Sequence, residues 1–275
     1  GQWIPAEWPG KAKTIDDLKA AWTAEDNSFT SDNFKVSKYG GFLGTKAKAT
    51  GFFRVEKIDG KWWFVDPEGY LFFSTGSCGI GPRAELSRVP GREYIFAALP
   101  PRPQPSTPGQ PAGGQPTVVN SSAGAPNQPA ASGAQPVRRQ GGSSFYGWNL
   151  TRRFGPDYND KWIDLTVRRM ESWGINTVGN WSDASLGNSH RIAYVATLNG
   201  WGIETGVMGL PDVYSADYAA NVDAAAKRQC APKKDDPYLL GYFIGHEQPW
   251  PVRETELIST ILSGNETPMQ LDVKK

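Results

Sequence analysis

Residues 236–250 read DPYLLGYFIGHEQPW, a short apolar run with an Asp-Asp-Pro opening before it and a carboxylate, Glu247, just past its end. Proline keeps the preceding residue extended, and the run over 239–244 is too short and too aromatic for a helix, so a buried strand is expected there. A strand apolar on both faces needs cover on both sides, which points to a parallel sheet in an α/β fold. In such folds ligands bind at the C-terminal ends of the strands, where the loops converge on one face. Glu247 falls at that position. Flanked by His246 on one side and Pro249-Trp250 on the other, it has surroundings of the kind that raise a carboxyl pKa, so it is the candidate proton donor. The bland alternative is a carboxylate that caps a helix after Pro249.

At 275 residues the chain is long enough for a large core in one or two domains. A net charge of +1 argues against nucleic acid or a strongly acidic polymer as partner. No apolar run approaches the roughly 20 residues that span a bilayer. Cys78 and Cys230 stand in different contexts and form neither metal spacing nor a disulfide framework. The chain carries 11 Trp, and several fall in loops rather than in periodic core positions; that placement tilts their reading toward stacking on sugar rings. Its first residue is Gly, with no signal peptide, so a processed or trimmed start is expected.

Residues 1–50 offer one short helix over 14–22, with Thr14 as N-cap and Asp17 at the third helical position, and are otherwise an accessory or wrapping segment. From Gly51 the pattern sharpens. Two β-rich runs, 52–58 and 61–65, flank Asp59-Gly60, which predicts a hairpin. Asp66-Pro67-Glu68-Gly69 is a type I turn rather than a carboxylate site. Residues 70–76 then make another buried strand ending in small residues. Residues 99–143, rich in Pro, Gly, Gln, Ala and Ser, hold too little apolar surface to offset their ordering entropy and are expected to be a disordered insertion; an interdomain linker is the alternative. A helix over 157–173 follows, with Ile163, Val167 and Met170 on one stripe and Gly174 as its stop. Further strands are expected over 175–179 and 192–198, and a helix over 211–229.

Strand and helix therefore alternate, and strand ends carry polar and aromatic clusters. With no Gly-rich phosphate loop or dinucleotide fingerprint, a (β/α)8 TIM barrel suits the pattern better than an open sheet. About four barrel strands are found where the barrel needs eight, so the expectation is the first half of an enzyme, with residues 51–275 as a partial barrel and the C-terminal half missing.

Three blocks carry a resemblance: 51–80 (GFFRVEKIDGKWWFVDPEGYLFFSTGSCGI), 145–183 (notably ESWGINTVGNWSD) and 236–250. In order and spacing they resemble the β-agarases of glycoside hydrolase family 50, within the retaining clan built on (β/α)8 barrels; residues 1–50 resemble them weakly. In that clan the fourth strand ends in Asn-Glu. The resemblance implies that Glu247 is the general acid/base and that the nucleophile comes from a seventh strand outside this chain. His246 stands where the clan has an Asn that hydrogen-bonds the sugar 2-hydroxyl; a mannanase family of the same clan also has His-Glu there. The implied substrate is a polysaccharide or oligosaccharide of β-galactan type, with no cofactor and no metal. A piece with one of the two carboxylates that a retaining mechanism needs is expected to be inactive alone.

Among the remaining candidates, Asn180, Trp181 and Asp183 end one strand on the expected ligand face, although Asp183 also suits the start of a turn. Trp201 and Trp250 lie in loops after strands and suit sugar stacking. Trp62, Trp63, Trp162 and Trp173 are expected in the core. His190 is expected to be inert, and Glu204 to have a structural or solvent role. Gly264-Asn265-Glu266 also spells Asn-Glu, but no strand precedes it, so it reads as a surface loop. The rival class is a non-catalytic carbohydrate-binding protein on the same scaffold; an esterase lacks its Gly-X-Ser-X-Gly elbow here.

Overall fold

The computed structural model describes residues 7–29, 34–83, 86–96, 98–101, 143–198, 212–244, 254–263 and 268–273. Its contacts divide the chain into two units, one of residues 1–29 and 81–165, the other of 30–80 and 166–275.

The first unit opens with helix α1 (Ile15–Ser28). Thr14 and Asp17 form a reciprocal cap: Asp17 N donates to Thr14 Oγ1 at 3.1 Å, and Thr14 N donates to Asp17 Oδ2 at 3.0 Å. The helix runs six residues past its expected end at Trp22. It is tied to helix α2 (Phe145–Phe154) by Arg153, whose guanidinium meets Glu25 Oε2 at 3.0 Å and Asp26 Oδ1 at 2.9 Å. Two short strands of this unit, Leu86–Ser87 and Ser143–Ser144, pair antiparallel with Ser87 opposite Ser143. The chain thus enters and leaves the span between them side by side, and Ser143, expected to be disordered, is held in a ladder. Residues 102–142, the bulk of that span, lie outside the described residues.

Helix α3 (Asn159–Ser172) crosses the division between the units. Its buried side chains are Trp162, Leu165, Thr166, Val167 and Met170. Gly174, with φ of 70°, ends it by donating to Glu171 O at 3.1 Å, while Ile175 N donates to Met170 O at 2.8 Å. This pair of bonds is a Schellman stop, which needs a residue tolerant of the left-handed region. The stripe is rotated from the expected one, so that Trp162 is buried and Trp173 is 62% exposed.

The second unit holds two four-stranded sheets. One is antiparallel and contains β1 (Phe42–Lys46), β2 (Arg54–Ile58), β3 (Lys61–Val65) and β4 (Tyr70–Phe72) in the order β1-β4-β3-β2. Asp59 and Gly60 turn the β2–β3 hairpin with φ of 50° and 79°, the mirror-image turn that matches strand twist. Asp66 is fully buried; its Oδ1 accepts from Glu68 N and Tyr70 N, and its Oδ2 accepts from Ser37 Oγ at 2.5 Å. The residues around 66–69 therefore form the expected turn, with the carboxylate consumed in building it. Trp62, expected in the core, is 69% exposed, because its face of the hairpin is left open at that end.

The other sheet is parallel, in the order β10-β9-β8-β5, and contains β5 (Gly76–Ser77), β8 (Thr177–Val178), β9 (Ala193–Thr197) and β10 (Leu239–Phe243); β6 and β7 are the two short strands of the first unit. Each strand sits beside its neighbour in chain order, as an α/β repeat requires. Helix α4 (Ala184–Asn188) lies between β8 and β9 in sequence, and α5 (Ala216–Cys230) between β9 and β10. After β10 come α6 (Glu254–Ser263) and α7 (Pro268–Val273). The fold is thus mixed α/β with a parallel sheet.

One expected element divides. The single strand read over 70–76 is β4 in the antiparallel sheet and β5 in the parallel sheet, with residues 73–75 passing between them. Asn176 causes the transfer: its Nδ2 donates to Phe73 O at 3.0 Å and to Gly40 O at 3.2 Å, and its Oδ1 accepts from Thr75 N at 2.9 Å. Phe73 O and Thr75 N are thereby satisfied by a side chain, while Thr75 O accepts from the backbone N–H groups of Asn176 at 2.9 Å and Thr177 at 3.2 Å.

Candidate active site at the parallel strand ends

Because all four strands of the second sheet run the same way, their C-terminal ends lie along one edge. That edge is built from Ser77, Cys78 and Gly79 at the end of β5, from 179–183 after β8, from Thr197 and Leu198 at the end of β9, and from Phe243 and Ile244 at the end of β10. Backbone bonds stitch the first two tips: Gly179 N donates to Ser77 O at 2.7 Å, Gly79 N to Asn180 O at 2.8 Å and Asp183 N to Ile80 O at 2.7 Å. Gly179 has no room for a side chain, since an added Cβ would lie 2.7 Å from Cys78 Sγ and 2.8 Å from Ser77 O. Cys78 itself is an exposed free thiol.

Asn180 is 1% exposed, and its Oδ1 accepts from the hydroxyl of Thr197, joining the tips of β8 and β9. Trp181 follows with φ of 61° and is 43% exposed, a bulky side chain held in the left-handed region at a strand end. Asp183 caps α4: its Oδ1 accepts from Ser185 N at 3.0 Å and from Ser185 Oγ at 2.7 Å. The structure brings Asn180, Trp181 and Asp183 together on this edge. Glu247, His246, Trp250 and Trp201 lie outside the described residues, as does Glu204. In sequence His246 and Glu247 follow Ile244 and Gly245 after the end of β10, the outer strand of the sheet.

A second cluster lies at the opposite edge, where β9 and β10 begin. Asp236 Oδ2 accepts from Tyr194 OH at 2.7 Å and stands 3.3 Å from His190 Nε2, while Lys233 Nζ donates to Tyr194 OH at 3.1 Å. Burial, and then the Asp236 carboxylate, push the Tyr194 phenol well above its ordinary value of 10.0, so it stays protonated. His190, Lys233, Asp236 and Tyr238 help line a cavity of about 530 Å³ here. Sequence reasoning missed this cluster because its two halves, His190 with Tyr194 and Lys233 with Asp236, lie about forty residues apart and no spacing joins them. Among the described residues no group of three or more His, Cys, Asp or Glu is placed to hold a metal ion, and no helix is long and apolar enough to cross a membrane.

No family model matches the chain. Among curated proteins it is 32% identical to β-agarase B of Vibrio sp. (strain JT0107) across 91% of its own length, and 32% identical to β-agarase A of the same organism across 74%. The chain spans only 28% and 20% of the length of these relatives. Among solved structures, an exo-β-agarase matches with a TM-score of 0.63 at 28% identity, covering 88% of this chain and 38% of that one. The agarase AgWH50C matches with a TM-score of 0.60 at 26% identity, covering 88% and 36%. The resemblance carried by the three sequence blocks is borne out: the chain is similar along nearly all its length to one part of the β-agarases of glycoside hydrolase family 50.

Proposed function

We propose that the chain contributes the opening part of a (β/α)8 barrel to a retaining glycosidase that cuts agarose or a closely related neutral galactan, acting outside the cytoplasm. Residues 1–50 are its accessory segment, and residues 51–275 carry the barrel strands with the span 99–143 inserted. The pairing of β6, which precedes that span, with β7, which begins at its last residue, supports the insertion. The observation that carries the functional reading is the coincidence of two facts. The relatives named above are agarases, and the end of β10 that leads into Glu247 shares an edge with the exposed indole of Trp181.

In this reading Glu247 is the general acid/base. It protonates the glycosidic oxygen as the bond to the leaving sugar breaks, while a second carboxylate, supplied by a later strand, attacks the anomeric carbon from the opposite face. Glu247, now ionised, takes a proton from water, and the hydroxide attacks the glycosyl-enzyme ester, which releases the sugar and frees the nucleophile. His246 donates to the sugar 2-hydroxyl, a bond that tightens in the transition state. Trp181, Trp201 and Trp250 offer ring faces to sugar rings, and Asn180 and Asp183 shape the loop that presents the first of them. No metal or cofactor takes part.

The test uses the longest natural polypeptide that contains this chain. Glu247→Gln is expected to lower agarose hydrolysis by about 10²- to 10⁴-fold while leaving oligosaccharide affinity within a few-fold. Unchanged turnover would remove Glu247 from the mechanism. Sugar binding without turnover in the parent protein would favour a non-catalytic carbohydrate-binding role.

A further inference from the structure

We propose that Thr197 is a positioning residue for sugar binding: by fixing the side chain of Asn180, it holds Trp181 in the conformation that presents the indole to an agarose oligosaccharide. This rests on the reading of the strand-end edge as the substrate side.

The left-handed region is rare for a bulky side chain, so a tryptophan with φ of 61° must be held by its neighbours. From the β5 side the restraint is plain. Gly79 N donates to Asn180 O at 2.8 Å, Ile80 N to Ser182 Oγ at 3.1 Å and Asp183 N to Ile80 O at 2.7 Å, so the residues before and after Trp181 are bonded to the same loop. From the β9 side the restraint is a side-chain bond, in which Thr197 Oγ1 donates to Asn180 Oδ1. Asn180 is 1% exposed, so its amide oxygen has no free exchange with water.

Thr197 is well suited to act as a fixed point. It is the last residue of β9, it is in register with Phe243, the last residue of β10, and Leu198 N donates to Phe243 O at 2.9 Å. A β-branched side chain on a paired strand has little freedom about χ1, so the hydroxyl is a donor of fixed position. Anchoring the amide oxygen also settles which way the Asn180 amide faces. Valine keeps the shape of threonine and removes the donor, whereas serine keeps the donor and removes the methyl group.

The experiment is a double-mutant cycle read by calorimetric titration with an agarose tetrasaccharide, in the longest natural polypeptide carrying Glu247→Gln so that the sugar persists. Trp181→Ala is expected to weaken binding by about tenfold or more and Thr197→Val by about fivefold, while Thr197→Ser stays within about twofold of the parent; Thr197→Val added to Trp181→Ala should bring no further loss. Full-strength binding by Thr197→Val, or losses that multiply in the double variant, would overturn the positioning role and leave the substrate edge standing. Full-strength binding by Trp181→Ala would overturn the substrate edge itself, and this proposal with it. Should Thr197→Val melt near the assay temperature, Thr197→Ala takes its place in the same cycle under the same criteria.

Discussion

The side-chain amide of Asn176 donates to the carbonyl of Phe73 at 3.0 Å at the point where the chain passes from the antiparallel to the parallel sheet. The same side chain accepts from Thr75 N at 2.9 Å and donates to Gly40 O at 3.2 Å, so one residue supplies partners to three backbone groups in two stretches of chain. Asn176→Ala is expected to destabilise the fold by about 2 kcal/mol, because each backbone group must then find water or go unpaired. Asn176→Asp keeps the acceptor and loses both donor bonds, so it should fall between. Urea denaturation measures both, and a change of less than about 0.5 kcal/mol for the alanine variant would contradict this role.

Arg153 is expected to be the anchor of α1. No α1 residue is fully buried, so packing holds that helix weakly, while the Arg153 side chain is only 6% exposed and reaches Glu25, Asp26 and the Trp22 carbonyl at 3.3 Å. Arg153→Met should cost about 1–3 kcal/mol locally and speed amide exchange over 15–28 by at least about fivefold, with the parallel sheet unaffected. Equal exchange rates in the two proteins would show that α1 is held by other contacts.

The Tyr194–Asp236 pair sets a pH dependence. The Tyr194 phenol is raised above 10.0 by burial first and by Asp236 second, so the folded protein keeps the proton that the unfolded chain gives up. Its contribution is therefore complete below pH 10 and is lost as pH rises above it. Denaturation midpoints from pH 8 to pH 11 should fall more steeply for the parent than for Tyr194→Phe, which has no proton to lose. Parallel curves would contradict the assignment.

Local signals in the sequence carried the local structure. Thr14 with Asp17, Asp59 with Gly60, the turn at 66–69 and the stop at Gly174 each depend on residues a few positions apart, and each is where the pattern placed it. The β9 and β10 strands were legible for a similar reason, since short apolar runs have few alternatives. What the sequence hid are relations across long separations. The strand over 70–76 divides because of Asn176, a hundred residues away, and Ser37 meets Asp66 across 29 positions. Trp62 and Trp173 show the matching limit for burial: aromatic character suggested the core, but exposure is decided by what covers a face. Helix α2 was missed since its aromatic residues mask the helical period; Ser144, which accepts from Gly147 N at 3.0 Å as the N-cap, was the signal available.

The central claim, that Glu247 hands a proton to the departing sugar, is tested most directly by its dependence on the leaving group. Glu247→Ala is to be assayed on an agarose oligosaccharide and on the matching dinitrophenyl glycoside, whose leaving group departs without a proton. Formation of the glycosyl-enzyme should slow by about 10²- to 10⁴-fold on the oligosaccharide and by less than about tenfold on the aryl glycoside, with added azide restoring turnover of the latter. Equal losses on the two substrates, or no loss on either, would contradict the account.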